Sequence, residues 1–402
     1  MNLDPAVIIR ELKKMKDPQD VYPSILVGGT NGKGSVCAMT SSILISAGYR
    51  VGLYTSPHLV DVRERIRYNG RMIATQEMAD CVTEVRATVA DALTYFEFLT
   101  AVAFLFFCRQ KVDIAVLEVG MGGRLDATNV VRPVVSVISN VSIEHSDYLG
   151  TRLSQIAREK GGIIHEGGVC LTAASQKPVL DVLEGICRER KADLYRIGRD
   201  IRVNRDRRGA SFTYDGMGRR FRHLPCPLRG RHQIKNAALA VGIMEILSRQ
   251  SWAIPEEAIR SGLEGTRWEG RLEILQEDPQ VVIDGAHNPA GVSALCQALK
   301  SDFIYRRLII VFGVLRDKDY AIMIRKVAAI ADILILTRPA VERALPPQAL
   351  ADIARQFCPD VLIREDLRQA FSEALSLADP EDLICVAGSL YLVGQLKASL
   401  EH

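Results

Sequence analysis

Ser24-Ile-Leu-Val-Gly-Gly-Thr-Asn-Gly-Lys-Gly-Ser35 is the stretch on which the fold turns. Ser24 to Gly28 is a short apolar run closed by glycine, the pattern of a buried strand. A Gly-rich turn follows. From about Val36 to Ala47 the chain reads as a helix stopped by Gly48, and Arg50 to Tyr54 reads as the next strand. Strand, loop, helix and strand in that order form the building block of a parallel sheet. Glycines in the loop allow a tight turn that aims N–H groups at phosphate oxygens. The helix N-terminus adds partial positive charge, and Lys33 adds a full one. Thr30, Asn31, Gly32, Lys33, Gly34 and Ser35 are therefore the candidate ligands of a nucleotide's phosphates. The common spacing G-x-x-x-x-G-K-[ST] is not met literally. Val27 stands at the first glycine's place and Gly34 where Ser or Thr would be, with Ser35 one later. An ordinary Gly-rich turn is the plainer alternative, and the strand before and helix after count against it. A dinucleotide loop is disfavoured, because the G-x-G-x-x-G spacing is absent and a lysine is present.

Outward from this unit, Asp113 to Val119 and Val134 to Ser139 are nearly continuous apolar, β-branched runs, as strands covered on both faces should be. Residues 200–224 alternate, carry many arginines and contain Asp215-Gly216, which predicts an antiparallel hairpin inserted in or edging the sheet. Helices are expected from about Lys235 to Ser248 and from Pro255 to Gly262. A second α/β series follows Gly265, with strands at Val281 to Ile283, Leu308 to Phe312, Ile333 to Leu336 and Leu383 to Ala387. The expected class is α/β: a P-loop-type, mostly parallel sheet with flanking helices over 1–266, and a smaller Rossmann-like α/β domain over 267–402.

The 402 residues exceed one ordinary core of roughly 100–200 residues. Hydrophobic residues at 48% and charged residues at 25% suit packed cores and exclude disorder. A net charge of +3 gives no reason to expect nucleic acid or a membrane surface as partner. The nine cysteines show no CxxC pair and no zinc-like spacing, which reads as reduced thiols. Met1 to Asp20 is charged and helical in character, unlike a signal peptide, and Phe98 to Cys108 is too short to span a bilayer. A cytoplasmic protein is expected.

The variant Gly-Thr-Asn-Gly-Lys-Gly-Ser resembles the nucleotide loop of the Mur ligase superfamily. The motifs Thr55-Ser-Pro-His-Leu59, Leu93-Thr-Tyr-Phe-Glu97, Leu117 to Asn129, Arg158-Glu-Lys160, Gly230-Arg-His-Gln233 with Asn236, Gly270-Arg-Leu-Glu273, Asp284-Gly-Ala-His-Asn-Pro289 and Gly388-Ser389 narrow the match. In this order they resemble the folylpolyglutamate synthase/dihydrofolate synthase family from residue 28 to residue 394. The peptidoglycan branch is similar to three-domain proteins with a domain ahead of the phosphate loop. Only 27 residues precede Gly28, so that branch is not expected.

The resemblance implies roles that the residues alone leave open. Ser56, Glu118 and His145 would hold magnesium. Glu118 also reads as a solvated strand-end charge, and His145 as a hydrogen-bonded structural histidine. Lys160 by itself suits a helix C-terminus, whereas the resemblance implies a carbamylated lysine and a second magnesium contact. Asn236 would read adenine, with a helix cap as the alternative. Arg271 would reach the ATP phosphates, with a surface arginine as the alternative. Asp284 would accept from ribose and His287 approach phosphate, with a self-bonded turn as the alternative. Thr94 and Asp126 match positions implicated in pterin-substrate binding. The chain departs from the family at Glu144 (usually Asp), Gly161 (usually Ala) and Glu269 (usually Pro).

The function implied is an ATP- and magnesium-dependent ligase, a monomer, with Lys33, Lys160 and His145 as its catalytic set. ATP bound between the two domains would activate dihydropteroate or a folate as an acyl phosphate, and L-glutamate would displace the phosphate. The Leu-Thr-Tyr-Phe-Glu motif resembles versions that accept dihydropteroate, so a bifunctional enzyme is expected. The rivals are a two-domain Mur-type ligase with another acyl acceptor and a nucleotide-operated switch protein.

Overall fold

The computed structural model describes residues 5–89, 93–144, 146–206 and 211–400, which divide into two units. The first holds residues up to His58, Val62–Pro227 and His232–Arg267; the second holds Leu59–Asp61, Leu228–Arg231 and Trp268 onward. In the first unit the strands are Ser24–Gly28 (β1), Val51–Tyr54 (β2), Ile66–Tyr68 (β3), Arg71–Met72 (β4), Ile114–Glu118 (β5), Val135–Ile138 (β6), Val169–Thr172 (β7) and Asp193–Arg196 (β8). They form one sheet in the order β4-β3-β2-β5-β1-β6-β7-β8. From β2 through β8 all pairs are parallel, and β3 and β4 join antiparallel at one edge. Every residue of β1, β2, β5 and β6 is buried, so the chain there can be apolar without alternation. The helix Tyr95–Arg109 supplies Phe104 and Phe107 to the core beneath them. No helix among the described residues is long and apolar enough to cross a membrane.

The arginine-rich segment departs from expectation. It forms three antiparallel strands, Arg202–Arg205 (β9), Ser211–Asp215 (β10) and Arg220–Pro225 (β11), in a sheet of their own and not at the edge of the larger one. The reason lies in the helix Arg231–Arg249. Its buried Glu245 accepts from Tyr214 Oη at 2.8 Å, Met217 N at 3.0 Å and Arg219 N at 2.9 Å, and so fastens the turn between β10 and β11.

The second unit adds Glu273–Gln276 (β12), Gln280–Asp284 (β13), Leu308–Phe312 (β14), Ile333–Leu336 (β15), Asp360–Ile363 (β16) and Leu383–Ala387 (β17), ordered β12-β13-β17-β14-β15-β16. Only β12 is antiparallel. Side chains of one strand alternate between two cores. Leu308, Ile310 and Phe312 pack on one face with Leu334 and Cys385, and Ile309 and Val311 on the other with Ile335 and Val386. Leu59 belongs to this unit as well. A Cβ on Gly394 would come 2.0 Å from the Leu59 carbonyl oxygen, so only glycine permits the approach.

At the amino ends of β14 and β17, Asp382 is fully buried and receives Arg307 Nη2 at 2.6 Å and Arg306 Nε at 3.4 Å. Burial pushes its carboxyl up, and hydrogen bonds from Arg307, the Asp379 amide and Arg306 outweigh it and hold the pKa at about 2. A carboxylate lowered on folding stabilises above its unfolded value near 4, and that contribution is lost as pH falls through 2. Asp382→Asn is therefore expected to cost about 2 kcal/mol in urea denaturation at pH 7, a difference that closes by pH 2.

Candidate functional site

The loop after β1 turns on two glycines, Gly29 and Gly32, in conformations that side chains rarely adopt. Gly29 has φ +132°, and a Cβ there would sit 2.0 Å from Ser139 Oγ. Gly32, φ +84°, ends the loop, and the helix Lys33–Ser46 starts at the lysine, earlier than the sequence suggests. The residues just after β6, the neighbouring strand in the sheet, hold the loop in place. Thr30 N donates to the Asn140 carbonyl at 2.9 Å, and Asn31 N donates to Asn140 Oδ1 at 3.0 Å. Ser139 Oγ and Asn140 Nδ2 each donate to the Asn31 carbonyl at 2.7 Å. Ser139 and Asn140 were not singled out by sequence. Their signal was available as two polar residues at the carboxyl end of a buried strand.

Lys33 folds back over its own loop and donates to the carbonyls of Gly29 and Thr30, both at 3.1 Å. Lys160, from the helix Leu153–Gly161, reaches the same place. It is 1% exposed and donates to the Gly29 carbonyl at 2.9 Å and to Glu144 Oε1 at 2.7 Å. This is no helix-dipole charge in solvent. Burial lowers its pKa most, Glu144 opposes, and Lys33 adds to the lowering. Gly34 and Ser35 are buried in the first helical turn, and Ser35 Oγ has no hydrogen-bond partner among the described residues.

Glu118 ends β5 and pairs in register with Val27, one residue before the strand runs into the loop. It is 5% exposed, which excludes a solvated charge, and accepts from Ser56 N at 3.0 Å. A hydroxyl and a carboxylate in such surroundings are hard oxygen donors suited to magnesium. Among the described residues no three His, Cys, Asp or Glu side chains gather as a metal site. His145 lies outside the described residues.

Asn236 is not a helix cap. Its helix begins at Arg231, which places Asn236 in the second turn, buried against Gly32. Thr94 caps the helix Tyr95–Arg109 and shares a capping box with Glu97. Asp126 is occupied by its own loop: Oδ1 accepts from Thr128 N and Oγ1, and Oδ2 from Met121 N. Burial pushes its carboxyl up, against those hydrogen bonds.

In the second unit, Arg271, Asp284 and His287 meet around Gly285. A Cβ on Gly285 would lie 2.4 Å from Arg271 Nη1. Asp284 accepts from Leu272 N at 3.0 Å and Ala286 N at 2.8 Å, so it fastens the turn as the plainer alternative predicts. His287 Nδ1 lies 2.8 Å from the Gly285 carbonyl.

Removing a hydroxyl that has no partner should not weaken the fold. Ser35→Ala is expected to keep or slightly raise the thermal midpoint measured without nucleotide; a drop of several degrees would contradict this.

Two family models match the chain: "Mur ligase middle domain" over residues 27–244 and "Mur ligase, glutamate ligase domain" over residues 270–390. The dihydrofolate synthase/folylpolyglutamate synthase of Bacillus subtilis is 35% identical over 404 residues, which covers 97% of this chain and 93% of that protein. Among solved structures, Mycobacterium tuberculosis folylpolyglutamate synthase complexed with ADP matches at 35% identity and TM-score 0.94, covering 100% of this chain and 96% of that one. The bifunctional folylpolyglutamate synthase/dihydrofolate synthase of Yersinia pestis, complexed with AMPPNP and a Mn ion, matches at 29% identity and TM-score 0.89, covering 100% and 94%. The chain spans 48% of the length of curated relatives from Halobacterium salinarum and Haloferax volcanii, each named a probable bifunctional folylpolyglutamate synthase/dihydropteroate synthase. On a middle-domain match over half its length and a relative this similar from end to end, the chain belongs to the folylpolyglutamate synthase/dihydrofolate synthase family of Mur ligases.

Proposed function

We propose that the protein is an ADP-forming ligase that joins L-glutamate to dihydropteroate and to folates, using ATP and magnesium. The observation that carries the reading is the pair of lysine amines meeting at the Gly29 carbonyl, Lys33 at 3.1 Å and Lys160 at 2.9 Å. The Lys33 cation at the mouth of a phosphate loop suits a polyphosphate, and the buried Lys160 amine beside it is the group open to modification.

The N–H groups that open the helix Lys33–Ser46, together with Lys33, bind and orient the triphosphate. Ser56, Glu118 and His145 would hold magnesium, which when bound neutralises phosphate oxygens. The substrate carboxylate attacks the γ-phosphorus, ADP leaves, and an acyl phosphate remains. The amine of glutamate attacks the acyl carbon, phosphate leaves, the amine loses a proton and the amide forms. Positioning and charge stabilisation supply most of the acceleration. Arg271, Asp284, His287 and Asn236 belong to the ATP contacts in this reading, and Thr94 and Asp126 to the pterin end. The resting hydrogen bonds of Asp284 and Asp126 give both a turn-fastening role as well.

Carbamylation of Lys160 requires the neutral amine, which burial favours and the Glu144 contact opposes. The modification therefore requires release of that contact. Since only the unprotonated amine reacts, removing carbon dioxide is expected to lower turnover, and bicarbonate to restore it more fully as pH rises. Turnover indifferent to bicarbonate would remove the carbamate from the mechanism.

Mass spectrometry of dihydropteroate, ATP and glutamate incubated with the protein should show dihydrofolate and ADP; absence of both dihydrofolate and elongated folate would reject the activity. Lys33→Ala should lower turnover by on the order of 10²–10³-fold with the fold retained by circular dichroism.

A further inference from the structure

Lys397 lies in the last turn of the helix Leu390–Leu400, where a lysine ordinarily offers its charge to the helix end. Here it does something else. Its side chain is 11% exposed, and Nζ donates to Glu273 Oε1 at 2.7 Å and to Glu269 Oε2 at 2.6 Å. Burial acts to lower its pKa, and hydrogen bonds to Glu269 and Glu273 outweigh burial and raise it, so the amine stays charged. The other oxygen of Glu273 is also occupied. Oε2 accepts from Gly270 N at 2.6 Å. One carboxylate thus ties the helix to the turn Gly270-Arg271-Leu272.

That turn is held in an unusual shape. Gly270 has φ +66° and Leu272 φ +46°, a region leucine rarely enters. A carboxylate holds each of these two amides: Glu273 takes Gly270 N, and Asp284 Oδ2 takes Leu272 N at 3.0 Å. Strain that persists marks a segment whose shape its surroundings over-determine. Arg271 stands in the middle of this segment. Its Nη1 donates to the Gly270 carbonyl at 2.9 Å, and Gly285 N donates to the same oxygen at 2.9 Å. Among the described residues this is the one hydrogen bond of the guanidinium. The turn therefore decides where the guanidinium lies. We propose that Lys397 is a positioning residue for Arg271: it orients the Glu273 carboxylate onto the Gly270 amide, fixes the turn, and so holds the guanidinium ready for a nucleotide's phosphate. This inference rests on the ATP reading above, which gives Arg271 its ligand, and deepens it. Lys397 itself need not touch the nucleotide.

Dissociation constants for ATP, measured by calorimetry on the wild type, Lys397→Met, Arg271→Ala and the double variant, test the assignment. Methionine keeps most of the side chain's length and removes its charge. Lys397→Met should weaken ATP binding by about fivefold or more. In the Arg271→Ala background the same change should alter it by less than about twofold, because the residue it positions is gone. In turnover, Lys397→Met should raise the KM for ATP and leave the KM for dihydropteroate unchanged. Partial unfolding lowers the number of binding sites and not the Kd of those that remain, so it does not imitate this pattern. The proposal alone is overturned if Arg271→Ala weakens ATP binding and Lys397→Met does not. It is also overturned if Lys397→Met costs as much without Arg271 as with it, or if both KM values rise in step. An Arg271→Ala variant that binds ATP as the wild type does, or a wild type that binds none, overturns the ATP reading of Arg271 and the proposal with it.

Discussion

The carbonyl oxygen of Gly29 accepts from two ammonium groups, one at each end of a long sequence interval. Lys33 comes from the first turn of the helix that follows, and Lys160 from a helix beyond β6. The carbonyl can turn outward to meet them because Gly29 adopts a backbone conformation closed to other residues. The same turn brings the Asn31 carbonyl to Ser139 and Asn140. Positive charge is thus stored beside a backbone oxygen, in a loop whose Thr30 and Asn31 N–H groups are held by Asn140. An anion that displaces the Lys33 contacts finds that cation already in place, with little reorganisation required.

The parallel core was readable because burial on both faces removes any alternation. β1, β2, β5, β6, β14, β15 and β17 all lie within a residue or two of their expected limits. The strands that escaped notice are short or sit toward an edge. Arg71–Met72 is two exposed residues, and Asp193–Arg196 and Asp360–Ile363 mix polar and apolar positions. Asp193–Arg196 and Asp360–Ile363 pair with strands more than twenty residues earlier, which local pattern does not register. The three-stranded sheet was half visible, as alternation with a turn signal. Its independence from the main sheet comes from Glu245, a carboxylate inside a helix that looks like any surface charge until Tyr214 and two amides are found upon it.

For the site, residue type and spacing located Lys33, Ser35 and Glu118, since each follows from a strand that must end there. Lys160 could not be separated from a solvated helix-end charge by sequence alone, and its burial removes that alternative. Thr94, Asp126 and Asp284 show the opposite case. Their short polar side chains close local caps and turns in the resting structure, work that a motif match does not distinguish from substrate binding. Gln233, quoted only as part of a motif, is buried and accepts from Asn236 Nδ2.

The second unit is not a continuous piece of polypeptide. It includes Leu59–Asp61 and Leu228–Arg231 as well as everything from Trp268. Gly230 N donates to Asp302 Oδ2 at 2.9 Å, and the Arg229 guanidinium lies 5.1 Å over the Phe303 ring. Leu59 rests on Gly394, within the helix Leu390–Leu400. During synthesis Leu59 leaves the ribosome long before its partner exists, so this short strap waits until the helix Leu390–Leu400 is made. That helix thus completes a packing arrangement begun far earlier in the sequence, and a polypeptide starting at Trp268 would lack both Leu59–Asp61 and Leu228–Arg231.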